Sequence, residues 1–332
     1  MIEFKNISKN YGDKKAVTDL SFKVEDGEIM GFLGPNGAGK STSLNILTGY
    51  LSASDGSAYI DGYDILENPM EAKKRIGYLP EHPPLYLDMT VNEYLEFVYR
   101  LKRCKLPKEQ HFNDICEVVQ ISDVRKRLIK NLSKGYRQRV GIAQTLIGNP
   151  GVLVFDEPTV GLDPKQIIEI RNLIKTLGKE HTIILSTHIL SEVQQICDRI
   201  VVINEGKLIA NEKTEDLSHA VDGPRRQIVK IVGDPEQVLR ALKEMPGVKL
   251  AEMLGKRDTD SVSYLVESEE KIDIRKTLFY TMAKNGWAII GLEGTETSLE
   301  DIFISLIEKR NLSDAKKSFL SSKTKPKKGV IK

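Results

Sequence analysis

The sequence predicts an α/β domain built on a parallel sheet, interrupted by an all-helical insert at about residues 86–148 and followed by a small α+β domain. Three observations carry this. Strand-length apolar runs (Val152–Phe155, Ile183–Leu185, Ile200–Ile203) alternate with helical stretches, the pattern of parallel strands joined by crossover helices. From Thr90 to Leu146 the periodicity is helical. After Asp222-Gly223-Pro224, a linker signal, the order restarts as β-α-β-β-α-β, a ferredoxin-like pattern.

Residues 2–33 read as β-rich, with turn signals at Gly12-Asp13 and Asp26-Gly27. A helix is expected from about Gly39 to Thr48, with Gly49 as its C′ residue. A strand at Ser57–Ile60 ends in Asp61-Gly62. Gly77–Tyr86 holds three prolines and is expected to be an extended loop without regular structure. Thr90 and Glu93 form a capping-box pattern, and helical periodicity continues to about Gln120 and again from Tyr136 to Leu146. Gly151–Phe155 reads as a buried strand. Asp163-Pro164 supplies an N-cap and an N1 proline for a helix ending at Gly178. Strand Thr182–Ser186, helix Leu190–Ile196 and strand Ile200–Ile203 follow.

In the second domain the expected elements are strand Gln227–Val232, helix Glu236–Lys243, strands Val248–Met253 and Ser261–Glu267, helix Ile272–Lys284 and strand Trp287–Leu292. A helix Ser298–Glu308 closes it. The organisation is therefore residues 1–221, 222–310, and a disordered Lys-rich tail at 311–332.

The formal charge of +2 conceals an asymmetry: residues 315–332 hold seven lysines and no acid, which leaves the rest at −5. A mildly acidic body argues against general nucleic-acid binding. Cys104, Cys116 and Cys197 are scattered and odd in number, so they read as reduced cytosolic cysteines rather than a disulfide framework or zinc site. The N-terminus shows no secretory signal, and the apolar runs are far shorter than a bilayer span, so any membrane role needs a partner chain.

The chemistry lies in two places. Gly34-Pro35-Asn36-Gly37-Ala38-Gly39-Lys40-Ser41 follows an apolar run and opens a helix, matching the phosphate-binding loop G-x-x-x-x-G-K-[ST]. Glycines let successive N–H groups face an anion, and the helix N-terminus adds its positive dipole end. Lys40 would reach the β- and γ-phosphates of a nucleoside triphosphate, and Ser41 would ligate Mg²⁺. Val152–Pro158 is an apolar strand ending in two carboxylates, at the edge where open α/β sheets place ligands. Asp156 is positioned to hold Mg²⁺ and Glu157 to polarise an attacking water.

With these motifs, Asn131–Leu146 (NLSKGYRQRVGIAQTL) makes the chain resemble the ATP-binding cassette ATPases, the motor subunits of ABC transporters. The resemblance spans about residues 1–220. It implies a P-loop NTPase fold, an ABC cassette with a β-rich N-terminal subdomain and an inserted helical subdomain. It also implies ATP and Mg²⁺ as cofactors. Leu132-Ser133-Lys134-Gly135-Tyr136 occupies the place of the family's LSGGQ signature, so Ser133 and Gly135 are implied to meet the nucleotide held by the other subunit of a head-to-tail dimer. Tyr11 matches the aromatic that stacks on adenine, Gly161–Asp163 the loop that crosses the dimer interface, and His188 the switch histidine at the γ-phosphate. Pro35, Asn36, Gly37, Ala38 and Thr42 complete the implied nucleotide contacts. Glu81 stands where the family usually has glutamine, within reach of Mg²⁺ or the water. Lys134 and Tyr136 replace a signature glycine and the signature glutamine.

LSKGYRQR and the segment ending Ser298–Phe303 resemble ATPases serving ABC-2-type exporters. The expectation is then an ATP-hydrolysing subunit paired with a second copy or a paralogous cassette and with a separate permease, peripheral on the cytoplasmic face of the membrane. Two rivals stand beside it: a soluble cassette ATPase acting on ribosomes or nucleic acid, and a non-hydrolysing nucleotide-binding regulator. The single cassette with a short insert weighs against the first, and intact Glu157 and His188 against the second.

Overall fold

The computed structural model describes residues 1–214, 226–256, 261–269 and 272–295. The chain divides into two compact units, Met1–Thr214 and a second beginning at Glu215. The boundary expected at 221–222, the closing helix at Ser298–Glu308 and the Lys-rich tail all lie outside the described residues.

The first unit begins with β1 (Ile2–Tyr11), β2 (Lys14–Val24) and β3 (Ile29–Leu33), then α1 (Lys40–Leu47), β4 (Asp55–Ile60), β5 (Tyr63–Asp64), α2 (Pro69–Lys74) and β6 (Ile76–Leu79). Helices α3 (Val91–Leu101), α4 (Lys108–Val118) and α5 (Lys134–Leu146) follow. The unit closes with β7 (Val152–Asp156), α6 (Pro164–Leu177), β8 (Thr182–Thr187), α7 (Leu190–Ile196), β9 (Arg199–Asn204) and β10 (Lys207–Lys213). One sheet is antiparallel, in the order β2-β1-β4-β5; the other runs β10-β9-β3-β8-β7-β6. Strands β9, β3, β8, β7 and β6 are mutually parallel, and only β10 runs against them. Both faces of β3, β7 and β8 are buried, which is why their sequences are continuous apolar runs instead of alternating ones. One core joins the two sheets. Phe4 stacks on Phe22 at 4.4 Å between ring centroids, and Phe22 meets Phe32 at 5.7 Å.

The parallel strands fix the site. Leu33 pairs with Thr187, Asp156 with Ser186 and Leu79 with Phe155, so the carboxyl ends of β3, β8, β7 and β6 lie side by side. All three insert helices lie between β6 and β7 in the chain. The capping box at the start of α3 forms: Thr90 Oγ1 accepts from the Glu93 N–H, and the Thr90 N–H donates to the Glu93 carboxylate.

Two expectations are corrected. Gly77–Leu79 is part of strand β6 and not of a loop; the prolines begin at Pro80, and a residue before proline is held extended, which a strand accepts. The helical stretch through Gln120 is two helices, α3 and α4, separated by a turn in which Arg103 has φ 50° and ended by Pro107, which has no N–H to give a preceding turn. Elements β5, α2 and β10 are additional to those the sequence predicts.

The second unit contains β11 (Arg226–Val232), α8 (Pro235–Lys243), β12 (Val248–Lys256), β13 (Val262–Ser268), α9 (Arg275–Lys284) and β14 (Ala288–Thr295). Its sheet is antiparallel in the order β12-β13-β11-β14. Val229, Ile231, Tyr264 and Val266 from the strands pack with Val238, Leu242, Leu278 and Met282 from the helices in a core of its own. Asp234 caps α8 by accepting from the Gln237 N–H, with Pro235 in the first turn.

Candidate functional site

Strand β3 runs straight into Gly34, and the chain curls through Gly39 before α1 begins at Lys40. Gly39 has φ +105°, and a Cβ there would lie 2.6 Å from the Ala16 carbonyl oxygen, so no side chain fits. The turn at Glu205-Gly206 buttresses this loop: the Gly206 N–H donates to the Ala38 carbonyl and the Thr18 N–H to the Gly206 carbonyl. Lys40 is 6% exposed; its ammonium donates to the Gly34 carbonyl at 2.7 Å and lies 3.5 Å from Glu157 Oε1.

At the end of β7 the backbone turns into the left-handed region at Glu157, φ 51°, an uncommon conformation for a residue with a side chain. The Glu157 N–H is anchored on the Ser186 carbonyl at 2.9 Å. This turn aims the carboxylate at Lys40 on one side and His188 on the other, with His188 Nδ1 at 3.0 and 2.9 Å from the two oxygens. Residues from the segments that leave β3, β7 and β8 thus form one polar cluster.

Asp156 lies behind it, buried, with Oδ1 lacking any hydrogen-bond partner. Burial pushes its carboxyl above the ordinary range; the hydroxyls of Ser186 and Ser41 oppose this, the Glu81 charge adds to it, and Lys40 again opposes it. An orphaned carboxylate oxygen beside the Ser41 hydroxyl, with Glu81 on the same wall, is a set of hard oxygen donors that suits Mg²⁺.

The cavity in front of these groups is about 770 Å³. Of the residues expected at the site, Tyr11, Pro35, Asn36, Gly37, Gly39, Lys40, Ser41, Thr42, Glu81, Glu157 and His188 line it. Gly34 and Ala38 shape the loop from behind; a Cβ on Gly34 would sit 2.5 Å from the Ile203 carbonyl oxygen. Tyr11 is half exposed, with the Lys9 ammonium 5.5 Å from its ring centroid. Lys14, Lys15, Val160 and Glu205 also line the cavity and were not anticipated. The Lys-Lys pair just after the Gly12-Asp13 turn was the available signal.

Ser133 and Gly135 are not brought to this cavity. They line a second one of about 630 Å³ with Tyr136, Arg139, Asp163 and Gln166. Ser133 caps α5, accepting from the Tyr136 N–H at 3.4 Å, and Tyr136 donates its hydroxyl to Asp123 at 3.3 Å. The Lys134 ammonium rests against Gly161 (φ +69°) of the same chain, in the space a side chain there would take.

A phosphate loop and an acid pair at the carboxyl ends of parallel strands define a P-loop nucleoside triphosphatase. The ABC transporter family model matches residues 17–160. The bacitracin transport ATP-binding protein BcrA of Bacillus licheniformis is 33% identical over 315 residues, covering 92% of this chain and 97% of that protein. The linearmycin resistance ATP-binding protein LnrL of Bacillus subtilis is 31% identical over 313 residues, covering 92% and 98%. Among solved structures, cbiO1 from Clostridium perfringens, part of the ABC transporter complex cbiONQ, shares 29% identity with a TM-score of 0.59 over 65% of this chain and 89% of its own. A dimeric ATP-binding cassette in a post-hydrolysis state with ADP and Pi shares 26% identity with a TM-score of 0.58, over 64% and 99%. The chain belongs to the ABC transporter ATP-binding proteins and is an ATP-hydrolysing subunit of such a transporter. Among the described residues no helix is long and apolar enough to cross a membrane.

Proposed function

We propose that this chain is the motor of an ABC-2-type exporter, working as a head-to-tail dimer beneath a separately encoded permease on the cytoplasmic face of the membrane. The observation that carries the dimer is the separation of two half-sites. Lys40, Glu157 and His188 stand around one cavity, while Ser133 and Gly135 stand around another. A second copy turned head to tail brings the signature helix of one chain over the phosphate loop of its partner. Export as the direction is supported by relatives named for bacitracin transport and linearmycin resistance.

In this reading Tyr11 stacks on the adenine. The N–H groups from Gly34 to Thr42 cradle the phosphates, and Lys40 carries the charge that pairs with the β- and γ-phosphoryl oxygens. Ser41 and Asp156, with Glu81 nearby, would hold Mg²⁺, which when bound neutralises charge on the phosphates. Glu157 accepts a proton from the attacking water as its oxygen bonds to the γ-phosphorus. The bond from that phosphorus to the bridging oxygen breaks, and ADP and inorganic phosphate are released. His188 holds the Glu157 carboxylate in line and reaches toward the γ-phosphate. ATP binding closes the dimer and product release reopens it, moving the permease.

We infer that the second unit's elements form an accessory domain at residues 222–310 of ferredoxin-like type, a reading supported by the strand order β12-β13-β11-β14. We assign it to dimer stability or permease coupling. The Lys-rich tail is assigned to the anionic membrane surface, which flotation with anionic liposomes tests by comparing the full chain with one ending at Asp314.

The deciding experiment is Glu157→Gln. Removal of the carboxylate charge should leave ATP binding intact, slow turnover by about 100-fold or more, and accumulate an ATP-bound dimer on size exclusion. Turnover near that of the wild type would remove Glu157 from the role of base.

A further inference from the structure

Glu192 is a carboxylate at 1% exposure in α7, outside the nucleotide cavity, and it is wired into both loops that carry the reacting groups. Its Oε2 accepts the Thr159 hydroxyl at 2.9 Å and the Thr187 hydroxyl at 3.2 Å. Thr159 is two residues after Glu157, and Thr187 is the residue before His188. The Thr187 oxygen also accepts the Ile189 N–H at 3.0 Å, which fixes the backbone on the far side of His188. The other oxygen, Oε1, is buried without a hydrogen bond and lies 3.5 Å from Arg171 Nη2 on α6. Arg171 in turn donates to Gln195 on α7 at 3.0 Å.

A buried carboxylate is costly and is retained in a fold only where its partners compensate. Here the compensation comes from two hydroxyls belonging to separate strand exits, β7 and β8. Their neighbours, Glu157 and His188, must stay within hydrogen-bond distance of each other. Glu157 also sits in a left-handed backbone conformation, which persists only where the surroundings over-determine it. We infer that Glu192 is a positioning residue: through Thr159 and Thr187 it ties the two strand exits together and holds the Glu157–His188 pair in register, with Arg171 balancing its charge. This rests on the assignment of Glu157 and His188 to hydrolysis.

The test uses the full chain and its steady-state ATPase activity. Glu192→Ala should lower kcat by about 10- to 100-fold, the scale of a small misplacement of reacting groups. KM for ATP should stay within about twofold, because Lys40 and the phosphate loop are untouched. Glu192→Gln keeps an oxygen that both hydroxyls can reach, and should recover most of kcat while losing thermal stability through the stranded Arg171. The double variant Thr159→Val, Thr187→Val should reproduce the kcat loss with Glu192 in place. It decides the matter if Glu192→Ala does not fold. Wild-type kcat in the double-valine variant, or equal kcat losses in the Gln and Ala variants, would overturn the inference. Glu157→Gln measured alongside separates the two layers. If it is silent while the Glu192 and threonine variants are active, only the strap is wrong; if it turns over normally, the catalytic assignment beneath it has failed.

Discussion

The ammonium of Lys40 is held by the Gly34 carbonyl and the Glu157 carboxylate, so its position is set by the loop it serves. In the proposed mechanism Lys40→Ala removes the charge partner of the β/γ-phosphoryl oxygens. Hydrogen bonds to charged groups are worth about 1.5–3 kcal/mol, so affinity should fall at least about tenfold in a nucleotide titration, without loss of fold. Gly39 tests the loop by shape instead of charge. A methyl group at φ +105° would collide with the Ala16 carbonyl, so Gly39→Ala should lose nucleotide binding while Lys40 and Ser41 remain in the chain. Preserved binding in that variant, read by the same titration, would mean the loop can be rebuilt.

Helix ends in the insert lend themselves to stability measurements that leave the site alone. Thr90 and Glu93 exchange their capping bonds at the start of α3, and Thr90→Ala should cost about 1 kcal/mol by denaturant unfolding with KM for ATP unchanged. At the far end of α3, Lys102 is half-buried and donates to the carbonyls of Gln144, Thr145 and Ile147, tying α3 to the end of α5. Burial pushes its ammonium down to about 8. An unfolded chain keeps that proton to about 10.4, so between these limits the unfolded state binds more protons and stability rises with pH. The gain is fully present above the higher limit and is lost as pH falls through the lower one. Relative to Lys102→Met, the wild type should therefore become more stable from about pH 8 to 10 in thermal melts. The helix caps are legible in the sequence because each depends on one residue and its neighbours three positions away. The phosphate loop is legible for the same reason. Strand β6 is obscured because four residues ahead of Pro80 show no period, and α2 because Pro69 opens it for under two turns. Glu192 is illegible for a deeper reason: its burial is created by β7, β8, α6 and α7 together, and no local pattern in the chain marks it.

On the scale of the whole chain, each unit has a hydrophobic core of its own, and every group placed around the nucleotide cavity lies in the first. A chain ending at Thr214 should accordingly fold and bind ATP, while dimerising or engaging a permease less well; a folded but non-binding truncation would contradict this division of labour. The placement of Lys40 around one cavity and Ser133 around another has a genetic corollary. Lys40→Ala and Ser133→Ala chains should each be inactive alone, yet complement one another when co-expressed. In a mixed pair, one composite site inherits both lesions and the other inherits neither, so activity should reappear only where the two alleles meet in the same dimer.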